Sequence, residues 1–240
     1  MKVVVSVGGS VFVPTVSAEY VRDHAAVVEE LADEGRTMGV VVGGGTTARE
    51  YIGVARDLGA NEMVLDELGI AATRLNARLL TAALDTSATP SPPEDYETAG
   101  AAMRRGDVPV MGGVAPAQTT DAVAAALAEY TDADLLVYAT SVSGVFDADP
   151  DETDDARKFD RLTPGELVDV IADLERTAGA AAPVDLVAAK VIERAGLRTV
   201  VLDGTDPGRI ADAVRRGDHD GTDVVPDGET GELTYWAAES

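Results

Sequence analysis

Short apolar runs recur along the chain, each followed by small residues and then by a segment of helical periodicity. Residues 2–7, KVVVSV, are nearly all apolar and do not alternate, which predicts a central strand buried on both faces. Gly8-Gly9-Ser10 then predicts a turn. A helix is expected over about 18–34, with Val21, Val27, Val28 and Leu31 on one face. Strand 39–42 leads into Gly43-Gly44-Gly45 and a helix over about 46–58, carrying Ala48, Ile52, Ala55 and Leu58 inward. The next helix, about 66–84, carries Ile70, Leu75, Leu79 and Ala83. DTSATPSPPED (85–95) is turn-rich and cannot be helical at its prolyl pair. After a short helix, VPVMGG (108–113) reads as strand then loop, and TTDAVAAALAEY (119–130) as a helix with Thr120 or Asp121 near its N-cap. DLLVYAT (134–140) is a strand, and residues 147–161 are charged and loop-like. Helices are expected from Pro164 and over PVDLVAAKVIERAG, ending at Gly196. TVVL (199–202) is a strand, PGRIADAVRRG a last helix, and the tail after residue 222 a hairpin of TDVVP and GELTYW.

Strands that alternate with helices predict an α/β fold with a mainly parallel sheet and helices on both faces. Ligands of such sheets lie beyond the carboxyl ends of the strands. No internal repeat or linker is visible, although a change of role near residue 130 fits the pattern.

Composition narrows the class. With 240 residues, 45% of them apolar, the chain can bury a core as one large domain or two small ones. No apolar stretch approaches the length of a membrane span, and the first run is too short for a signal-peptide layout. Without cysteine there is no disulfide and no thiolate zinc site. These features predict a cytoplasmic protein with no membrane partner. Forty-three acidic residues face nineteen basic ones, a net charge of -24 spread along the whole chain. That spread predicts a solvated acidic surface suited to a salt-loaded cytoplasm, and it argues against nucleic acid as a partner. Only Lys2, Lys158 and Lys190 stand against sixteen arginines. His24 and His219 have no metal-ligand partner at useful spacing and read as structural or exposed, so no protein metal site is expected.

Four strand-to-loop junctions are built from small residues: SVGGS (6–10), VVGGGTTAR (41–49), VMGGVAPAQTTD (110–121) and YATSVSGVFDADP (138–150). Each alone could be a tight turn. Together, on one sheet edge, they offer backbone N–H groups and helix N-termini to several phosphates. Gly43, Gly45 and Ala48 fit a dinucleotide fingerprint, but that fingerprint belongs in the first βα turn and here falls in the second. Phosphoryl transfer fits better, because it mainly needs positioned dipoles and positive groups.

Taken in order, VGGSVFVP, VVGGGTTAREYI, LGIAATRLNARLL, PVMGG followed by TTDAVAA, SGVFDADP, VDLVAAK and GDHDGT carry a resemblance. From residue 1 to about 226 the chain is similar to the archaeal uridylate kinase branch of the amino-acid kinase superfamily. The resemblance implies a three-layer αβα sandwich with a mainly parallel central sheet. It implies one domain, 1–226, with an acceptor part to about 130 and an ATP part from about 131, and an extension over 227–240. It also implies ATP as donor with Mg²⁺, UMP as acceptor, UDP as product and a homohexamer.

Residue roles follow from the same resemblance. Gly8, Gly9 and Ser10 would present N–H groups to the transferring phosphoryl; as bare residues they are a β-turn. Gly44 would face the acceptor phosphate and Gly45 the ATP phosphates, with Arg49 reaching a phosphate oxygen or else standing solvated on its helix. Asp66 would hold the UMP ribose, or act as an N-cap, or both. Val114, Ala115, Pro116, Ala117, Gln118, Thr119 and Thr120 form the UMP-binding stretch, where Gln118 replaces a common histidine. Asp121 matches the aspartate that orients positive groups; on its own it reads as an N-cap. Thr140, Phe146 and Asp149 match the adenine and ribose side of the ATP site. Lys190 would meet the γ-phosphate, or be a surface lysine, and Ser6 stands where a first-strand lysine is usual. Another small-molecule kinase of the superfamily and a non-catalytic nucleotide-binding regulator remain the rival functions.

Overall fold

The continuous apolar run at the N-terminus becomes the middle of the sheet. In the computed structural model, residues 1–12, 17–84, 88–150, 152–153, 155–176, 182–229 and 236 are described. The strands are β1 (Lys2–Val7), β2 (Thr37–Val42), β3 (Val110–Met111), β4 (Leu135–Thr140), β5 (Arg161–Leu162), β6 (Thr199–Asp203) and β7 (Thr222–Val224). They lie in the order β3-β2-β1-β4-β6-β7-β5. β1 runs parallel to β2 and to β4, with Val5 opposite Val40 on one side and Val137 on the other. β2 pairs parallel with β3 and β4 with β6, while β7 runs antiparallel to β6 and parallel to β5.

The helices are α1 (Gly9–Phe12), α2 (Ala18–Asp33), α3 (Gly45–Asp57), α4 (Glu62–Ala83), α5 (Tyr96–Arg105), α6 (Thr120–Thr131), α7 (Pro164–Arg176), α8 (Leu186–Ala195) and α9 (Gly208–Arg216). The pleat divides β1 between two cores. Val3, Val5 and Val7 join Leu31 of α2, Leu80 of α4 and Val214 of α9 on one face. Val4 joins Leu127 of α6, Ile171 of α7 and Ile192 of α8 on the other. The fold is the expected three-layer αβα sandwich. Among the described residues, no helix is long and apolar enough to cross a membrane.

Several sequence expectations are corrected. Gly8-Gly9-Ser10 is not a free turn, because Gly9 begins the single helical turn α1. The charged stretch up to residue 161 ends in a short strand, β5, at Arg161–Leu162. α4 starts at Glu62, capped by the Asn61 side chain accepting from Val64 N–H at 3.1 Å. Its inner face is also rotated from the expected one. Leu75 is 59% exposed and Leu79 39%, while Leu65, Ala72, Ala77 and Leu80 are buried. Thr73 and Asn76 cause the rotation, since both hydrogen-bond inward to loops. Leu58 of the α3 end, expected inside, is 83% exposed. In the tail, TDVV does not begin a hairpin, because β7 inserts between β6 and β5 of the main sheet; most of the second arm lies outside the described residues.

Trp236 is described and buried. Its Nε1 donates to the Val214 carbonyl at 3.0 Å, its ring packs on Gly217, and the Arg198 guanidinium lies 5.4 Å from the ring centroid. His24 is buried as a structural residue, its Nδ1 donating to the Tyr20 carbonyl at 2.8 Å and its ring edge-on to Phe12. Burial lowers its pKa and keeps the ring neutral.

Candidate functional site

From β1 the chain winds outward to β2 and β3 on one side, then returns to lay β4 and β6 on the other. The direction of winding reverses between β1 and β4, and open α/β sheets form their ligand crevice outside such a reversal. Two loops meet there backbone to backbone. Gly8 N–H donates to the Ala139 carbonyl at 2.9 Å, and Gly43 N–H to the Val7 carbonyl at 3.0 Å. A Cβ on Gly9 would stand 2.0 Å from the Gly45 nitrogen, and one on Gly45 would stand 2.4 Å from the Gly9 carbonyl oxygen. Gly45 also has φ +60. Gly43 and Gly45 are thus accounted for by packing against the first glycine loop, and Ala48 lies against Gly44. Asn76 of α4 fastens the second loop, its Nδ2 donating to the carbonyls of Gly43 at 2.8 Å and Gly44 at 3.2 Å.

A cavity of about 500 Å³ opens on the β2–β3 side. It gathers Gly44, Gly45 and Arg49 from the start of α3 with Asp66 and Thr73 of α4. Ala115, Ala117, Gln118, Thr119 and Thr120 close it from the loop before α6. That loop is held in shape from beneath. Ala117 has φ +60, and its N–H donates to Asp66 Oδ2 at 2.8 Å. Thr73 Oγ1 accepts from Gly113 N–H at 2.7 Å and donates to the Ile70 carbonyl at 2.7 Å. Gln118 Nε2 donates to the Tyr96 hydroxyl at 2.7 Å. Val114 packs against the β-sheet core, and Pro116 lies on the same loop. Arg49 is exposed and donates to Thr46 Oγ1 at 3.3 Å. Asp66 lies inside α4, not at its cap, so the N-cap alternative falls away. Helix N-termini, loop N–H groups and an arginine suit a phosphate, and a carboxylate suits sugar hydroxyls.

A smaller cavity of about 210 Å³ lies between β1 and β4 and contains Ser6, Ser10, Asp121 and Thr140. Asp121 is not the α6 cap, because Thr119 Oγ1 takes that place by accepting from Ala122 N–H at 3.1 Å. Burial pushes the Asp121 carboxyl up to about 7, the Asp185 carboxylate adds to the rise, and the Ser6 hydroxyl, donating at 3.4 Å, opposes it. The Tyr138 hydroxyl donates to the Asp121 carbonyl at 2.8 Å. One helical turn therefore serves both cavities, with Thr119 and Thr120 in the larger and Asp121 in the smaller.

Thr140 ends β4, and its Oγ1 donates to the Val142 carbonyl at 2.9 Å. Phe146 and Asp149 follow on the loop beyond; Phe146 bridges to Lys158, and the Asp149 carbonyl accepts from Glu152 and Thr153 N–H. Lys190 is not brought to either cavity. It sits on the outer face of α8, with a half-exposed side chain paired to Glu193 at 3.0 Å. Among the described residues, no group of three or more histidine or acidic side chains could hold a metal ion by itself. Thr73, Asn76, Tyr96, Tyr138 and Asp185 were not predicted as site residues. Thr73 and Asn76 fall off the stripe expected for their helix (Ile70, Leu75, Leu79 and Ala83), and Asp185 lies in the VDLVAAK motif with nothing in the sequence to pair it with Thr119.

Comparison with known proteins adds the family. The amino acid kinase family model matches residues 1–203. The uridylate kinase of Halobacterium salinarum is 67% identical over 237 residues, covering 99% of this chain and 98% of that one. The uridylate kinase of Haloquadratum walsbyi is 61% identical over 236 residues, covering 98% of each. The crystal structure of uridylate kinase from Archaeoglobus fulgidus superposes with a TM-score of 0.84 at 45% identity, covering 94% of this chain and 100% of that one. UMP kinase from Bacillus anthracis, at 20% identity and a TM-score of 0.75 over 95% and 96% of the chains, shares the fold.

Proposed function

We propose, because this chain belongs to the amino acid kinase family and within it to the uridylate kinases, that it transfers the γ-phosphoryl of ATP to UMP. The product is UDP, for pyrimidine nucleotide synthesis. The observation that carries the site assignment is the first turn of α6, which lines an acceptor-sized cavity on one side and presents the buried Asp121 at the strand reversal on the other.

UMP occupies the larger cavity in this reading. Its phosphate lies toward Gly44 and Arg49, its ribose at Asp66, and its base along Val114 to Thr120. The ATP phosphates run from Gly45 across Gly9 and Ser10, with the nucleoside toward Thr140, Phe146 and Asp149. Transfer is in line, with no covalent enzyme intermediate, and the glycine N–H groups stabilise charge on the equatorial oxygens. Mg²⁺ enters with ATP. Such an ion is commonly held by substrate phosphates, water and one or two carboxylates, which fits a cavity with the single carboxylate Asp121. It supplies positive charge to the phosphates. Residues 1–226 act as one catalytic unit, with β1 and β4 joining the acceptor part (to about 130) to the ATP part (from 131).

Assembly is proposed as a homohexamer, in a salt-rich cytoplasm that solvates the acidic surface. An exposed apolar face on α3 and the start of α4, including Tyr51, Val54, Leu58 and Met63, supports contact between copies. Leu58→Asp is expected to shift the chain toward smaller species in analytical ultracentrifugation at molar KCl. An unchanged distribution removes this face from the interface.

The direct test is ADP release from Mg-ATP in molar KCl, with UMP, CMP, AMP, isopentenyl phosphate and acetylglutamate offered in parallel. Turnover confined to UMP is expected. Preference for another acceptor overturns the reading, and nucleotide-induced melting shifts without turnover point to a regulator. Asp66→Ala is expected to raise KM for UMP about tenfold or more, since it loses both the ribose acceptor and the Ala117 N–H contact. KM for ATP should hold; equal loss for both nucleotides would assign Asp66 to folding alone. For Lys190 the Glu193 pairing and the exposure outweigh the family pattern. Lys190→Ala is expected to keep turnover within about threefold, and a fall of about 10²-fold would restore its role at the γ-phosphate.

A further inference from the structure

One contact ties the two sides of the site together and has no role in the chemistry above. The Thr119 hydroxyl donates to Asp185 Oδ2 across 66 residues of sequence. Both partners are helix caps. Thr119 Oγ1 accepts from Ala122 N–H and so starts α6. Asp185 Oδ1 accepts from Val187 N–H at 2.7 Å and Ala188 N–H at 3.0 Å, and so starts α8. Capping α8 needs one oxygen, and Oδ1 supplies it. The second oxygen is spent on another helix.

That helix turn is the one shared by the two cavities. Thr119 and Thr120 line the larger, and Asp121, two residues on, lines the smaller. α6 and α8 pack through Val123 and Leu127 against Ala188 and Ile192 in one core, so their axes are already in register. The Thr119–Asp185 hydrogen bond joins their N-terminal ends directly.

We propose that Asp185 is a positioning residue for phosphoryl transfer. Its Oδ2 holds the Thr119 hydroxyl, and through it the first turn of α6, at a fixed separation from α8, so the acceptor loop and Asp121 keep their mutual spacing when both nucleotides are bound. Asp185 touches neither nucleotide; its positioning effect passes through Thr119, while its charge also raises the Asp121 carboxyl. The proposal rests on the UMP and ATP placement given above. Misplacing a reactant by about 1 Å can cost on the order of 10²-fold in rate, which makes such a latch kinetically visible.

Asp185→Ser separates the latch from the cap. Serine caps a helix about as well as aspartate, but its one short oxygen cannot also reach Thr119. The experiment is initial-rate kinetics in molar KCl on the parent chain, Asp185→Ser, Thr119→Val, Thr119→Ser and the double variant Asp185→Ser/Thr119→Val, each with its melting temperature. Asp185→Ser is expected to melt within a few degrees of the parent, with kcat/KM for UMP reduced about 30-fold or more and KM for ATP unchanged. Thr119→Ser keeps the hydroxyl, and with it both the α6 cap and the Asp185 contact, and should lose less than Thr119→Val. Thr119→Val removes the α6 cap as well and should lose at least as much as Asp185→Ser, and the double variant should be no worse than Thr119→Val alone. Additive losses, or Asp185→Ser rates within threefold of the parent, overturn the proposal. If the parent itself does not phosphorylate UMP, the functional reading is what fails. The same four-way comparison, read in UMP-induced melting shifts, then decides the latch: coupled losses uphold it and additive ones end it.

Discussion

Gly9→Ala is expected to abolish measurable turnover while leaving a folded but weakened chain. The added Cβ would stand 2.0 Å from the Gly45 nitrogen, 2.6 Å from Gly45 Cα and 2.7 Å from the Gly43 carbonyl carbon. All three are main-chain atoms, so no rotamer change makes room. The loops after β1 and β2 must move apart, and they carry the N–H groups proposed to hold the γ-phosphoryl. A displacement on the order of 1 Å costs at least about 10²-fold in rate, and two loops moving at once should cost 10³-fold or more. The overpacking itself should destabilise by about 1–3 kcal/mol. Gly53→Ala is the matched control, because nothing lies within 4 Å of its Cβ position on an exposed stretch of α3. Rates are read against melting temperature for both variants. If Gly9→Ala retains more than a tenth of parent kcat/KM, the two loops are not a rigid phosphate cradle.

Asp121→Asn should lose about 10²–10³-fold in kcat and yet gain stability at alkaline pH. Both halves of that result come from one environment. Burial, reinforced by Asp185, raises the carboxyl pKa from an ordinary 3.8 to about 7 in the ligand-free fold. The folded chain therefore binds this proton more tightly than the unfolded chain does. Stability falls as pH rises from about 4 to about 7 and is lowest, for this group, once the carboxyl is ionised. Asparagine removes that loss, which is on the order of 2–4 kcal/mol at pH 8. Catalysis needs the charge that stability resists, since Mg-ATP brings cations to a cavity whose other polar side chains include Ser6, Ser10 and Thr140. Mg-ATP binding near pH 7 should accordingly release about half a proton more from the parent than from the variant. Calorimetry in buffers of differing ionisation heat measures this. A variant that releases the same number of protons removes Asp121 from the ATP response.

Much of this architecture was legible in the sequence because its signals are local. KVVVSV is buried on both faces, as an unbroken apolar run requires. Gly196 caps α8 in the left-handed region, with φ +59, and the glycine junctions do share one sheet edge. What stayed hidden was set by partners far along the chain. Leu75 and Leu79 looked like core positions from spacing alone, but Asn76 turns α4 to reach Gly43 and Gly44. Nothing near TDVVP announced that β7 would pair with Thr199–Val201. The candidate site divides in the same way. Asp66 and the Ala115–Thr120 stretch were found as motif residues, but the hydrogen bond from Ala117 to Asp66 needed coordinates. Lys190 was singled out by the resemblance, with the scarcity of lysine as support, and neither says which way its side chain points. Asp185 stood within the VDLVAAK motif, but an aspartate before a helix reads simply as a cap, and its second partner lies 66 residues away.

Trp236 has an experimental consequence of its own. It is the only tryptophan in the chain, and it sits on α9 against Gly217 with a guanidinium beside its ring. Intrinsic indole emission from this protein therefore monitors the packing of one residue against the end of α9. A fluorescence melt follows the loss of that packing, and only a second probe, such as far-ultraviolet dichroism, follows the sheet. Where the two curves separate, the gap measures how independently Trp236 leaves its place on α9.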